Sequence, residues 1–101
     1  MGEGKQATAQ LNDDHSVCIG RKGVMPYVLA VVTQFRSGAR EVCIKARGNM
    51  ISEAVDVAEI TRARFVPGAR QKSVRIGSEE VRRADGRVSR VSFIEITLAR
   101  A

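Results

Sequence analysis

The stretch from Val17 to Phe35, VCIGRKGVMPYVLAVVTQF, decides the fold because it contains the change from a strand pattern to a helix pattern. A β-branched run closed by a glycine predicts a first strand over His15–Gly20. The proline that follows suits a first helical turn, and apolar side chains then recur at helical spacing, which predicts a helix over Pro26–Ser37. Two cations, Arg21 and Lys22, stand between two glycines at this joint.

The patterns farther along the chain predict a two-layer α/β domain. Residues 40–48, REVCIKARG, alternate apolar and polar side chains as a half-exposed strand does. Asn49 is placed to cap a second helix that continues to Phe65, and residues 71–83 and 87–100 flank an Ala-Asp-Gly turn as a β-hairpin. The order β-α-β-α-β-β places two helices on a mixed four-stranded sheet. Apolar side chains on both faces of the last strand predict that it is covered on both sides.

The second helix carries more apolar surface than one packing contact requires. A stripe along it consists of Ile51, Ala54, Val55, Ala58 and Phe65. It is widened by Met50, Val57 and Ile60. Since a core-facing stripe spans about 100° of a helix, the excess predicts a second packing partner, most simply another copy of the chain.

The charge of the chain predicts a polyanionic partner. The 101 residues contain 17 Lys and Arg against 11 Asp and Glu, and residues 1–14 carry one lysine against three carboxylates, so that residues 15–101 hold a formal charge of +8. Nucleic acid is the first candidate for that partner and an anionic membrane the second. We expect residues 1–14 to form a flexible tail and residues 15–101 to form a single domain.

The sequence offers no set of residues suited to catalysis or to a cofactor. His15 is the single histidine, and Cys18 and Cys43 lack the CxxC spacing of a metal site, so we predict no metal, no cofactor and no enzyme activity. Both cysteines fall in strand patterns and are predicted to be buried and reduced. The longest uncharged run, Val24–Phe35, is too short to span a bilayer, and no signal-peptide core precedes it, so we expect a soluble, cytoplasmic protein.

Cations at the two strand-to-helix joints are the first candidate binding residues. Arg21 and Lys22 follow the first strand, and Lys45 and Arg47 end the second. Both joints of a β-α-β-α unit lie at one edge of the sheet, where glycines and a helix N-terminus also favour phosphate. The alternative is a solvated loop whose charges only aid solubility.

The hairpin supplies the second group of candidates, which are Arg82, Arg83, Arg87 and Arg90. A projecting hairpin with arginines at its tip can enter a narrow, electronegative minor groove. The alternative is an edge hairpin that charge protects from aggregation.

Three stretches resemble the Alba family of archaeal chromatin proteins: IGRKGVMPYVLAVVTQF, EVCIKARGNMISEAVDVAEITRARFVPG and RVSRVSFIEITLAR. The resemblance covers nearly all of residues 16–100. It implies a dimer of two-layer α/β subunits that binds double-stranded DNA with little sequence preference and also binds RNA. By matching motif, Arg21, Lys22 and Arg47 would lie on the DNA backbone, and the hairpin would reach the minor groove. Phe65 would contribute to contacts between neighbouring dimers along the DNA.

The chain departs from the family pattern at three positions. Arg21 stands where some members carry a lysine that is acetylated, which makes Lys22 the candidate for modification. Gly23 replaces a frequent proline, and Asn49 stands near the position of a further basic residue and is kept as a candidate contact. Because eight of the nine candidates are Arg or Lys, the contacts predicted are with phosphate and not with base edges.

The sequence therefore predicts a dimeric protein that coats, bridges or compacts double-stranded DNA in an archaeal nucleoid. Two alternatives stay open at this point: an RNA-binding or RNA-processing accessory protein, and an assembly module whose ligand is another protein. The sequence also leaves open a higher assembly and a heterodimer with a paralogue.

Overall fold

The computed structural model describes residues 15–101, and the tail predicted over residues 1–14 lies outside this range. The elements in chain order are β1 (Ser16–Cys18), α1 (Val24–Arg36), β2 (Glu41–Arg47), a 3₁₀ turn (Gly48–Met50), α2 (Ile51–Ile60), a π-helical turn (Thr61–Phe65), β3 (Arg70–Arg82) and β4 (Val88–Ala99).

The four strands form one mixed sheet in the order β1-β2-β4-β3. β1 pairs with β2 in parallel, and β4 is antiparallel to both β2 and β3. The parallel pair requires a crossover, which α1 supplies, whereas β3 and β4 need only a tight turn. The predicted fold class, two helices on a mixed four-stranded sheet, is confirmed.

A single apolar core lies between the two helices and one face of the sheet. In β2, Val42, Ile44 and Ala46 are buried while the residues between them are not, which confirms the predicted alternation. The helices contribute Val28, Val31, Val32 and Phe35 from α1 and Ala54, Val57 and Ala58 from α2. The core thus uses the two periodicities that the sequence displays, 2 in the strands and 3.6 in the helices.

The other face of the sheet, here called the open face, has no layer packed over it within residues 15–101. Cys18 is exposed and Cys43 is half-buried, so the prediction that both cysteines are buried is wrong. Phe93 on β4 is only partly buried, and the prediction that the last strand is covered on both sides is also wrong. A strand composition rich in apolar residues does not reveal which face lacks a covering layer.

Both helix starts differ from the sequence prediction. α1 begins at Val24, two residues early, because Gly23 adopts a positive φ of 89° and turns the chain directly into the helix. Pro26 still falls in the first turn, where a backbone N–H has no partner within the helix, so the N–H that proline lacks costs no hydrogen bond. Asn49 does not cap α2: it lies inside the 3₁₀ turn, and Met50 occupies the cap position without a side-chain hydrogen bond.

α2 ends in a π-helical turn that the sequence pattern does not reveal. The Val66 N–H donates to the Thr61 carbonyl over 2.8 Å, the spacing of a π bond, and the Thr61 side chain is fully buried. Val57 belongs to the buried stripe and Val55 is exposed, which reverses their predicted roles. The sequence therefore predicted correctly that α2 is amphipathic. The face that is buried in the structure is rotated about the helix axis from the predicted stripe.

Candidate nucleic-acid interface

The parallel pairing of β1 and β2 brings the two strand-to-helix joints together. Cys18 and Lys45 are register partners, and the Ile19 N–H donates to the Lys45 carbonyl over 2.8 Å. The loop that carries Arg21 and Lys22 therefore starts beside the end of β2. We call this side of the molecule the joint end, and it is where the sequence places two converging cationic loops.

Arg21 and Lys22 are fully available at the joint end. Both are exposed, and within residues 15–101 neither side chain has a carboxylate partner. The first turn of α1 contains no acidic residue. The helix N-terminus therefore adds free N–H groups and a positive dipole end to two uncompensated cations, the arrangement that attracts phosphate.

Tyr27 on α1 lies against Gly20, where this loop begins. A Cβ on Gly20 would lie 2.9 Å from the Tyr27 hydroxyl, closer than real Cβ atoms approach an oxygen, so only glycine fits without movement. Tyr27 is itself packed against the core from α1. Sequence reasoning missed Tyr27, because the contact joins residues from two elements and leaves no local pattern.

The second joint combines an exposed arginine with a polar turn. Arg47 lies at the end of β2, and its Nη1 is 3.4 Å from a carboxylate oxygen of Glu79 on β3. Lys45 lies two residues earlier on the open face and has no carboxylate partner within the described range. Gly48 takes a φ of 55° directly after β2, and Asn49 follows it on the surface. The fold thus brings three candidate residues to the joint end, which are Lys45, Arg47 and Asn49. The charge of Arg47 is partly compensated by Glu79.

The hairpin extends beyond the rest of the sheet as a two-stranded arm, defined here as residues 78–92. The last pair between β2 and β4 is Arg47 with Phe93, whereas β3 and β4 continue to pair from Ser78–Ser92 to Arg82–Val88. Five residue pairs at about 3.4 Å each make the paired part of the arm roughly 17 Å long. It projects from the joint end.

The tip of the arm is a compact turn closed by backbone hydrogen bonds. The Arg83 N–H donates to the Arg87 carbonyl over 2.7 Å, and the Gly86 N–H donates to the Arg83 carbonyl over 3.0 Å. The Asp85 carboxylate accepts the Arg87 N–H over 3.0 Å, and Gly86 takes a φ of 88°. The positive φ explains why glycine follows aspartate in the predicted Ala-Asp-Gly turn.

The arginines of the arm are of two kinds. Arg87 and Arg90 face carboxylates, at 3.8 Å from Asp85 and 3.6 Å from Glu80 respectively. Arg82 and Arg83 bond only neutral groups, the Gly86 carbonyl at 3.4 Å and the Ser89 hydroxyl at 2.6 Å. With Glu79 included, the arm carries four arginines against three carboxylates, so its tip is less cationic than its arginine content suggests.

Three residues that the sequence analysis did not select lie on the open face near the joint end: Arg75, Phe93 and Glu95. The Arg75 guanidinium carbon is 5.1 Å from the centre of the Phe93 ring, and its Nη1 donates to the Glu95 carboxylate over 2.8 Å. The alternation of β4 puts Phe93 and Glu95 on one face, which is a signal in the sequence. That this face is open to solvent is visible only in the folded chain.

An exposed apolar surface lies on the helix side of the sheet edge. β3 is the edge strand, and Val74 and Ile76 on it are 54% and 75% exposed. Val55 on α2 is 42% exposed and Phe65 at the end of the π-helical turn 37%. Val74 and Ile76 are paired with the buried Ile96 and Ile94, so they extend the core face beyond the helices that cover it.

Two kinds of site are missing from the part of the chain that the structure describes. None of its helices is both long enough and apolar enough to cross a bilayer. Nor does it group three or more His, Cys, Asp or Glu side chains in a way that could hold a metal ion.

Comparison with known sequences identifies one family. The Alba profile matches residues 15–78. The "DNA/RNA-binding protein Alba 1" of Archaeoglobus fulgidus is 55% identical over 87 residues, which cover 86% of this chain and 97% of the relative. The "DNA/RNA-binding protein Alba" of Thermoplasma volcanium is 50% identical over 88 residues, which cover 87% of this chain and 98% of the relative.

Comparison with solved structures agrees with the sequence relatives. Alba from Thermoplasma volcanium superposes with a TM-score of 0.79 at 52% identity, covering 84% of this chain and 99% of that chain. ALBA1 from Trypanosoma brucei superposes with a TM-score of 0.69 at 25% identity, covering 89% of this chain and 72% of that chain.

Proposed function

The chain belongs to the Alba family, and on this basis we propose that it binds double-stranded DNA with little sequence preference and also binds RNA. One structural observation supports the proposal independently of the names of the relatives. Both cationic joints and the base of the arm lie at the same end of the sheet, so that a single rod-shaped polyanion can contact all of them. Eight of the nine candidate residues are Arg or Lys, which suits phosphate and not base edges.

In this proposal the joint end binds the phosphate backbone. Arg21 and Lys22 approach phosphates without first leaving a carboxylate, and the N–H groups at the start of α1 add neutral donors. Arg47 contacts the backbone from the second joint, with Lys45 and Asn49 beside it. Each phosphate neutralised releases condensed counterions, so affinity falls steeply as salt rises.

The arm reaches a flanking minor groove. Its two-stranded part is narrow and largely exposed, and within residues 15–101 no carboxylate pairs with Arg82 or Arg83 near its tip. A narrow minor groove concentrates negative potential and favours inserted arginine. Arg87 and Arg90 must exchange a carboxylate for phosphate or groove contacts, so their net contribution is smaller.

We further propose that the functional unit is a homodimer. The exposed apolar side chains of Val74 and Ile76 continue the core face past the helices that cover it, and Val55 is exposed on α2. A second copy of the chain would cover all three. Two arms then flank one duplex.

Phe65, at the end of the π-helical turn, would contribute to contacts between neighbouring dimers along DNA. Through such contacts the protein would coat, bridge or compact the DNA. A paralogue with the same apolar surface could replace one copy.

The proposed setting is an archaeal nucleoid, and the proposed role involves neither catalysis nor a cofactor. Lys22 is exposed and has no carboxylate partner among residues 15–101, which leaves its amine accessible for acetylation. Acetylation would remove one of the two loop charges and weaken phosphate binding. RNA is the second ligand, and comparing duplex DNA with duplex RNA at equal salt would rank the two.

The salt dependence of binding to a random-sequence DNA duplex tests the proposal. Arg21→Ala/Lys22→Ala is expected to bind more weakly, with a log–log slope smaller by roughly 1 to 2 units per subunit. The matched control is Arg36→Ala/Arg40→Ala, which removes the same charge from exposed positions at the opposite end of the sheet. An unchanged slope for the first variant, or an equal change for the control, would contradict a specific role for the joint end.

A further inference from the structure

We propose that the open face of the sheet holds a second nucleic-acid site, in which an unpaired base of single-stranded RNA or DNA stacks on Phe93. The site differs from the duplex-binding surface in its ligand and in the aromatic side chain that carries it, and it shares Lys45 and Arg47 with that surface. It uses the face of the sheet that the helices leave uncovered, at the joint end, where the chain can hold the flanking phosphates.

The first observation is a cleft of about 600 Å³ on this side of the sheet. Its lining includes Phe93, Met50, Lys45, Arg47 and Arg75. The volume lies within the range of roughly 300–1,000 Å³ that is usual for small-molecule sites. The lining combines apolar surface with cations, as required by a ligand that is an aromatic base linked to charged phosphates.

The second observation is that the Phe93 ring is held in place before any ligand arrives. A Cβ on Gly77, its register partner on β3, would lie 2.8 Å from the ring Cζ, so the ring rests directly against the glycine backbone. On the other neighbouring strand its partner is Arg47. An aromatic ring on a central strand of an open sheet is the usual platform for unstacked bases.

The third observation is the Arg75 guanidinium, 5.1 Å from the ring centre. Its side chain is 67% exposed and is held by one ion pair with Glu95. It can therefore cover the far side of a base that enters over Phe93, with the planar guanidinium stacked on the base. The resting contact between Arg75 and Phe93 marks where such a base would be inserted.

The charges of the cleft favour a base over a phosphate in its interior. Glu79 and Glu95 both line it, so a phosphate chain running through the cleft would meet two carboxylates. A neutral base meets no such repulsion. Lys45, which also lines the cleft and has no carboxylate partner within residues 15–101, can hold the adjoining phosphate.

A DNA or RNA duplex cannot use this site. Its bases are stacked on one another and present only their edges in the grooves, whereas a ring–ring contact requires a base turned out of the stack. The site therefore selects single strands, loops and ends. A loss of single-strand binding at Phe93 can therefore be distinguished by experiment from a loss of duplex binding.

The decisive variant is Phe93→Leu, which keeps an apolar side chain against Gly77 and removes the aromatic face. Fluorescence anisotropy would measure the affinity for a labelled 12-nucleotide oligo(U), which has little internal stacking, and for a DNA duplex at the same salt. We expect roughly 5- to 10-fold weaker binding of oligo(U), unchanged duplex binding, and oligo(U) binding retained by the control Phe93→Tyr. Unchanged oligo(U) binding, or an equal loss for oligo(U) and duplex, would overturn the proposal.

A second measurement avoids dependence on the leucine variant, should it fail to fold. The chain contains no tryptophan, so Phe93→Trp introduces a single tryptophan at the site, whose emission can be excited apart from that of Tyr27. Stacking of uracil on the indole should quench its emission as oligo(U) is titrated in, and the duplex should leave it largely unaffected. Emission that stays constant up to saturation with oligo(U) would show that no base reaches this ring.

Discussion

The joint end and the arm present cations in opposite ways. At the joint end Arg21 and Lys22 stand on a short exposed loop, without carboxylate partners in the described chain. On the arm two of four arginines face carboxylates, and the strands that carry them are largely exposed. The joint end is therefore ready to bind phosphate, whereas the arm must rearrange its own contacts first.

The difference has an energetic consequence. An exposed ion pair is worth only about 0–1 kcal/mol, so separating Arg90 from Glu80 costs little. That cost still subtracts from what each phosphate contact of the arm contributes. We infer that the joint end supplies most of the affinity and that the arm, held weakly in its resting form, adapts to the groove that it meets.

The largest expected effect is on duplex affinity, and it compares the joint end with the arm. Arg21→Ala/Lys22→Ala should weaken duplex binding about 100-fold per bound subunit at low salt, because two charge-assisted bonds of about 1.5 kcal/mol are lost in each. Arg82→Ala/Arg83→Ala should weaken it only about tenfold, because the arm loses part of its ordering cost along with the contacts. Anisotropy titrations on one duplex at one salt concentration compare the two, and a larger loss for the arm variant would reverse the ranking.

A smaller effect of opposite sign tests the role of the arm's own carboxylates. Glu80→Gln removes the partner of Arg90 while keeping the shape of the side chain, so the freed arginine should tighten duplex binding about threefold. The control is Asp56→Asn, which removes the same charge from an exposed position in the middle of α2, away from the arm and from the joint end. If both variants tighten binding equally, the effect reports net charge alone and the ion pair is irrelevant.

The smallest effect concerns a cation outside both regions. Arg62 hydrogen-bonds Glu59 at 3.0 and 3.1 Å, and this bond lowers the pKa of Glu59 below its ordinary value of 4.5. A depressed carboxyl pKa stabilises the fold above the ordinary pKa, and that stabilisation is lost as pH falls through the folded-state pKa. Arg62→Ala should return the Glu59 pKa toward 4.5 in an NMR titration and leave duplex affinity unchanged. A loss of affinity would extend the interface to the π-helical turn that follows α2.

Much of the fold could be predicted because its elements are locally encoded. The alternation in β2 and the 3.6-residue spacing in α1 each identify one buried face, and the order of elements then leaves few topologies. The errors occur where a local signal competes with packing. Asn49 has the chemistry of a cap, yet the chain enters α2 through a 3₁₀ turn, and Val55 has the spacing of a core residue yet faces solvent.

The candidate site, like the fold, could be predicted from the sequence only in part. Arg21, Lys22 and Arg47 could be selected because glycines and strand ends mark them in the sequence. The ion pair of Arg47 with Glu79 joins residues 32 positions apart, and no pattern in the chain predicts it. The same holds for the contact of Phe93 with Gly77 across two strands.

The sequence by itself determined the element order, the core periodicities, the cationic excess of residues 15–101 and the residues at the two joints. These properties depend on residue type and spacing along the chain, which local sterics and burial convert into structure. Only the tertiary structure decided which cations stay uncompensated, which face of the sheet stays open and which apolar side chains remain uncovered. Those properties depend on distances between residues far apart in sequence, and such distances exist only once the strands have paired and the helices have packed on one side of them.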